Sequence, residues 1–133
     1  MNKIAVFLIA LVALFGIYRL VSANTTPNPE VNGVSVEEAD IVLFWGDGCP
    51  HCEVVEDFIN NDNVDSKLKI VRKEVWKDRG NQQLMTEYAK KCPEIDTTQG
   101  MGVPFAYFNT IQKCQIGDTP IIDQIKQLLT QSE

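Results

Sequence analysis

A chain of 133 residues has room for one domain, and its hydrophobic content of 44% is ordinary for a globular protein. Its 18 acidic residues outnumber its 12 basic residues, so the formal net charge is −6, and no basic patch with interleaved aromatic residues occurs. This balance argues against nucleic acid or an anionic lipid surface as a partner.

Residues 1–23 are predicted to direct the chain out of the cytoplasm. Ile4 to Tyr18 is an apolar run interrupted only by Gly16, with Lys3 before it and Arg19 after it. Two interpretations stay open: a cleaved signal peptide, or a membrane anchor that is long enough to span if Arg19 reaches the interface. Both place the remaining chain in a periplasm or at the cell surface.

A polar stretch, residues 24–40, contains Pro27, Pro29 and Gly33 and is predicted to be an extended tether. The folded domain is predicted for residues 41–133. It begins with the continuous apolar run Ile41 to Trp45, which is typical of a strand buried on both faces. A helix is predicted from about Cys49 to Ile59.

Cys49 and Cys52 stand on the first turn of this predicted helix. Residues i and i+3 of a helix share a face, about 5 Å apart, which suits a disulfide. Unpaired amides at a helix start carry partial positive charge and favour a thiolate. Cys49 is therefore predicted to be an acidic, exposed nucleophile, and Cys52 the resolving thiol. His51, when protonated, adds positive charge that lowers the pKa of Cys49 further.

The remaining elements follow from hydrophobic periodicity and turn residues. They are a strand over residues 67–76, a helix over 78–91, a polar loop over 93–102, strands over 105–108 and 111–116, and a last helix capped by Asp118 or Thr119. The first two strands are predicted to be parallel because a helix connects them. The order β-α-β-α-β-β-α predicts an α/β fold with a mixed four-stranded sheet.

The stretch Phe44-Trp45-Gly46-Asp47-Gly48-Cys49-Pro50-His51-Cys52 resembles the active site of the thioredoxin superfamily. Its Pro-His pair is similar to that of the bacterial Dsb-type thiol oxidases, and Gly102-Val103-Pro104 stands where the family has its cis-proline. The resemblance covers roughly residues 41–131. It implies the minimal thioredoxin fold, a cis bond before Pro104, and main-chain groups of Val103 that bind a substrate peptide.

Two positions depart from the thioredoxin pattern. Leu43 stands where thioredoxin has a buried aspartate, so the proton acceptor for Cys52 stays open. Glu56, one helical turn beyond Cys52, is either that acceptor or a surface residue. Gly48 replaces a tryptophan, which predicts a more open substrate groove.

The resemblance implies a monomeric thiol–disulfide oxidoreductase that needs no cofactor, acts on protein or peptide thiols and has a membrane redox partner. Cys49 forms the mixed disulfide and Cys52 resolves it. A well-stabilised Cys49 thiolate favours the reduced protein, which predicts a disulfide-forming oxidant. A reductase or isomerase of the same fold stays open.

A metal-binding domain is the alternative from another class of function. Cys49, His51 and Cys52, with Cys92 or Cys114, would then bind zinc or copper, although the spacing lacks a second close pair of ligands. Cys92 and Cys114 are instead predicted to form a structural disulfide, because two leftover thiols in an exported domain are more stable paired. Two buried free thiols, or a pair that exchanges electrons with Cys49 and Cys52, are the other interpretations.

Overall fold

The computed structural model describes residues 33–98 and 100–131. The predicted export segment, residues 1–23, lies outside these ranges, as does the tether up to residue 32. Within the described ranges, no helix combines the length and the apolar character that crossing a membrane requires.

The strands and helices follow one another in the predicted order. In chain order they are β1 (Ile41–Trp45), α1 (Pro50–Asn61), β2 (Ile70–Glu74), α2 (Arg79–Ala89), β3 (Phe105–Phe108), β4 (Lys113–Ile116) and α3 (Asp118–Gln131). A short 3₁₀ turn, Val64–Ser66, lies between α1 and β2.

The strands form one mixed sheet in the order β2-β1-β3-β4. β1 is parallel to β2 and antiparallel to β3, and β3 pairs with β4 as an antiparallel hairpin. The parallel pair follows from α1, since parallel neighbours need a crossover connection. The predicted α/β class with a mixed four-stranded sheet is confirmed.

Hydrophobic side chains pack on both faces of the sheet. Successive strand residues point to opposite faces, so β1 sends Val42 and Phe44 towards α2, and Ile41 and Leu43 towards α1 and α3. All four are buried. This two-sided burial explains why the β1 sequence is continuously apolar rather than alternating.

Two of the predicted strands are shorter than expected. β2 ends at Glu74 because the Glu74 carboxylate accepts hydrogen bonds from the amides of Trp76 and Lys77, at 3.0 and 2.8 Å, and turns the chain. β4 begins at Lys113 because the preceding turn includes Gln112 in the left-handed region, at φ 51°.

The packed body begins before residue 41. Val34, Val36 and Ala39, within the predicted tether, pack against the core cluster on the α2 side. Asn109 ties this segment down, because its side-chain amide donates to the carbonyls of Val36 and Ala39 at 2.8 and 2.7 Å.

Candidate active site

The turn between β1 and α1 positions Cys49 as the N-cap of α1. Gly48 occupies the left-handed region, at φ 77°, which glycine adopts without steric cost, and Pro50 is the first helical residue. The Cys52 amide donates to Cys49 Sγ at 3.3 Å. The sulfur thus takes the position that a Ser or Asp oxygen has at many helix starts.

Cys49 and Cys52 form a disulfide, with their Cα atoms 5.2 Å apart. This agrees with the predicted pairing across the first helical turn. When the bond is reduced, the Cys52 amide and the helix start are placed to stabilise a thiolate on Cys49.

The predicted exposure of Cys49 is wrong for this disulfide form. Cys49 is only 4% exposed, and Cys52 is 6% exposed. The chain segment before β3 covers the bond, since the Val103 carbonyl oxygen lies 3.7 Å from Cys49 Sγ. Both cysteines instead line a cavity of about 280 Å³.

The Val103–Pro104 bond is cis, as predicted. Pro104 is buried and lines the same cavity as the cysteines. Its carbonyl accepts a hydrogen bond from the Gly117 amide at 2.9 Å, which joins the segment before β3 to the start of α3. On the other side, Val103 borders a groove of about 390 Å³ that Trp76, Met85 and Met101 also line.

A partly buried ion pair forms one wall of the cavity. Both carboxylate oxygens of Glu56 lie 3.0 Å from Nε of Arg72, whose terminal nitrogens bind Asp65 at 2.8 and 3.1 Å. Burial disfavours the guanidinium charge, but the hydrogen bonds to Asp65 and Glu56 outweigh it and raise the pKa of Arg72 above its ordinary value. Glu56 and Cys52 line the same cavity. This position is compatible with Glu56 as the proton acceptor for Cys52, and that role stays a prediction.

Sequence reasoning missed Arg72, which faces Leu43 across the parallel pair of strands. The sequence feature that could have indicated its role is a single arginine within the β2 run Ile70-Val71-Arg72. A guanidinium in a strand next to apolar residues usually marks a paired charge.

His51 points outwards rather than into the cavity. Its side chain is 71% exposed, and its Nδ1 lies 2.8 Å from Oδ2 of Asp118, at the start of α3. The other Asp118 oxygen accepts from the Thr119 amide at 2.6 Å. The hydrogen bond from His51, followed by that from Thr119, lowers the pKa of Asp118. Sequence reasoning expected Asp118 only as a helix cap.

The turn itself is supported from the end of β2. Asp47 forms an ion pair with Lys77, and this hydrogen bond lowers the pKa of Asp47. The Trp76 indole, 54% exposed, lies so close to Gly46 that a Cβ atom there would overlap the ring. Asp47 and Gly46 therefore shape the turn that presents Cys49.

The predicted pairing of Cys92 with Cys114 is confirmed. The two residues form a disulfide, with Cα atoms 6.1 Å apart, and are 2% and 3% exposed. They pack in the α2-side core cluster with Tyr88 and Tyr107. This burial favours a structural bridge over a redox shuttle.

The structure does not assemble the four ligands of the alternative metal site. Cys92 and Cys114 bind each other, and Nδ1 of His51 faces Asp118. Among residues 33–98 and 100–131, no group of three His, Cys, Asp or Glu side chains is arranged to hold a metal ion.

Neither a scan against protein-family models nor a search of curated proteins finds a match to this chain.

Proposed function

We propose that this chain is a thiol–disulfide oxidoreductase that acts on protein thiols outside the cytoplasm. The observation that most supports this proposal is the position of the Cys49 sulfur. It caps α1, pairs with Cys52 and lies beside the Val103 carbonyl. A helix start, a CxxC disulfide and a cavity that opens on both sulfurs are the parts that this chemistry needs.

The thioredoxin fold is part of the same proposal. Three features support it: the order β-α-β-α-β-β-α, the strand order β2-β1-β3-β4, and a cis-proline facing a CxxC motif at the start of α1. Leu43 and Gly48 depart from the thioredoxin sequence pattern. These departures concern the proton acceptor for Cys52 and the substrate groove, and they leave the order of strands and helices unchanged.

In the oxidising direction, a substrate thiolate attacks Cys49 Sγ. The Cys49–Cys52 bond breaks, its electron pair stays on Cys52, and a mixed disulfide joins the substrate to Cys49. A second substrate thiol then displaces Cys49. The substrate leaves as a disulfide, and both cysteines of the protein are reduced.

The direction follows from which redox state the site stabilises. The Cys52 amide and the start of α1 favour the Cys49 thiolate, which stabilises the reduced protein and makes the disulfide an oxidant. A membrane redox partner would restore the disulfide. The apolar segment of residues 1–23 supports this location beside a membrane.

Alkylation of the reduced protein tests the assignment of Cys49. We expect Cys49 to react below neutral pH while Cys52 stays protected, because only Cys49 caps the helix. Mass mapping after a brief iodoacetamide pulse across a pH series locates the label, and the Cys49→Ser variant is the matched control. Preferential labelling of Cys52 would contradict the assignment.

The reduction potential decides the direction. Equilibration with a glutathione redox buffer, followed by trapping and mass analysis, measures it. A potential near about −120 mV, as a strongly oxidising thiol oxidase has, would agree with a disulfide-forming enzyme. A potential near about −270 mV would indicate a reductase instead.

A further inference from the structure

A closed circuit of contacts surrounds the candidate active site. Cys49 Sγ lies 3.7 Å from the Val103 carbonyl, and the neighbouring Pro104 carbonyl binds the Gly117 amide. Asp118, next to Gly117, binds His51 on the same helical turn as Cys49. The circuit joins three elements that are far apart in sequence, and Asp118 is its only carboxylate.

The hydrogen bonds of Asp118 determine which nitrogen of His51 carries a proton. Aspartate carboxyl groups are ordinarily ionised at neutral pH, and an ionised carboxylate such as that of Asp118 only accepts hydrogen bonds. Nδ1 of His51 must therefore be the donor, and Nε2 is the free nitrogen of the neutral ring. With the side chain 71% exposed, this nitrogen is available to an incoming molecule.

We propose that Asp118 is a positioning residue that holds His51 in the Nδ1–H form, so that Nε2 accepts the proton of the substrate thiol. This inference rests on the proposed function. In this inference His51 accepts a proton from the substrate thiol, in addition to its electrostatic effect on Cys49. The pair works as other carboxylate–histidine pairs do, with the carboxylate orienting the ring and the ring moving the proton.

The proposed step is balanced without any further reactant. The substrate S–H proton moves to Nε2 of His51, and the resulting thiolate attacks Cys49 Sγ. The new bond joins the substrate sulfur to Cys49, and the bond to Cys52 breaks with its electron pair on Cys52. Cys52 is reduced, the substrate sulfur is oxidised, and the imidazolium later returns its proton to a departing thiolate or to water.

Asp47, Glu53 and Glu56 are the carboxylates that line the cavity, and Lys77 binds Asp47. Arg72 binds Glu56, whereas Glu53 is exposed. A base is needed only for a thiol that is protonated when it arrives. Two substrates that differ in ionisation therefore separate proton acceptance by His51 from a general effect on the fold.

The test uses the oxidised full chain at neutral pH with two thiols. An N-acetylcysteine amide thiol arrives protonated, whereas 2-nitro-5-thiobenzoate is already a thiolate. For Asp118→Asn we expect the reaction with the alkyl thiol to slow by roughly tenfold, the lower end of base catalysis after loss of orientation, with no change for nitrothiobenzoate. Asp123→Asn, an exposed carboxylate on the same helix, is the matched control and should behave as wild type with both thiols.

A spectroscopic measurement supplies a second readout. His51 is the only histidine of the chain, so selective ¹⁵N-histidine labelling reports one ring. We expect the Nδ1–H tautomer in the wild type and a mixture in Asp118→Asn, whose amide can also donate to Nδ1. An Asp118→Glu variant, which keeps a carboxylate, should recover part of the rate with the alkyl thiol.

The outcomes separate the two proposals. Equal slowing with both thiols, or an Nε2–H tautomer in the wild type, would overturn the role of Asp118 and leave the oxidoreductase proposal standing. A wild-type protein that reacts with neither thiol would refute the proposed function, and this inference with it.

Discussion

At the residue scale, one exposed tryptophan has a structural explanation. Trp76 leaves 54% of its surface exposed, which is unusual for a large hydrophobic side chain. Its indole covers the backbone of Gly46, in the turn that leads to Cys49. Glycine is required here by close approach rather than by a special backbone conformation, because any Cβ would overlap the ring.

We therefore expect Gly46→Ala to destabilise the protein by about 1–3 kcal/mol, the cost of forcing extra atoms into a packed contact. Urea unfolding followed by circular dichroism measures the change. Gly102→Ala is the matched control, because a Cβ at Gly102 meets no atom within 4 Å. In a Trp76→Ala background, which lacks the indole, Gly46→Ala should lower the free energy of unfolding by less. An equal loss in both backgrounds would contradict the steric explanation.

At the element scale, the second disulfide joins the end of α2 to the edge strand β4. Cys92 follows α2, and Cys114 lies on β4, paired in register with Tyr107 of β3. The intervening chain includes the segment that carries Pro104. The bridge thus restrains the connection that brings Val103 to the active-site sulfur.

Replacing both Cys92 and Cys114 with alanine should lower the free energy of unfolding by roughly 3 kcal/mol, as the chain-entropy estimate gives for a loop of this length. Thermal unfolding of the oxidised protein measures the loss. Alkylation of Cys49 after reduction should keep its wild-type pH dependence, since the Cys52 amide and the start of α1 that favour the thiolate are not part of the bridge. Wild-type stability in the double variant would show that the bridge does not restrain the unfolded chain.

At the scale of the whole molecule, several carboxylates of this acidic chain accept specific hydrogen bonds. The Lys77 ammonium lowers the pKa of Asp47, Thr98 lowers that of Asp96, and His51 lowers that of Asp118. For Glu74, burial acts the other way, but the amides of Lys77, Trp76 and Asp47 outweigh it and the pKa is lowered.

These pKa shifts determine whether the free energy of unfolding rises or falls as the pH is lowered. A carboxyl group whose folded pKa lies below its unfolded value stabilises the fold above the unfolded pKa, and this contribution is lost as the pH falls through the folded pKa. We expect the free energy of unfolding to decrease as the pH drops below about 4, where unfolded carboxyl groups begin to bind protons. Urea unfolding across a pH series measures it.

Lys77→Met removes the ion-pair partner of Asp47, so the free energy of unfolding of this variant should decrease less at acid pH than that of the wild type. A stability that stays constant down to about pH 2.5, well below the ordinary carboxyl pKa values, would contradict this expectation.

The sequence by itself determined the order of elements, the sheet class and the two cysteine pairs. These features depend on local patterns: the continuous apolar run of β1, the three-residue spacing of Cys49 and Cys52, and the helix that makes β1 and β2 parallel. Cys92 and Cys114 followed because pairing was the favoured state for two leftover cysteines.

Only the tertiary structure decided which side chains surround the sulfur atoms. His51 and Asp118 are 67 residues apart and Glu56 and Arg72 are 16 apart, and neither pair follows from periodicity. The burial of Cys49 was also unpredictable, because the Val103 carbonyl that covers it arrives 54 residues later. Helical or strand periodicity specifies which face of an element is apolar, whereas the packing of elements determines which residues of different elements meet.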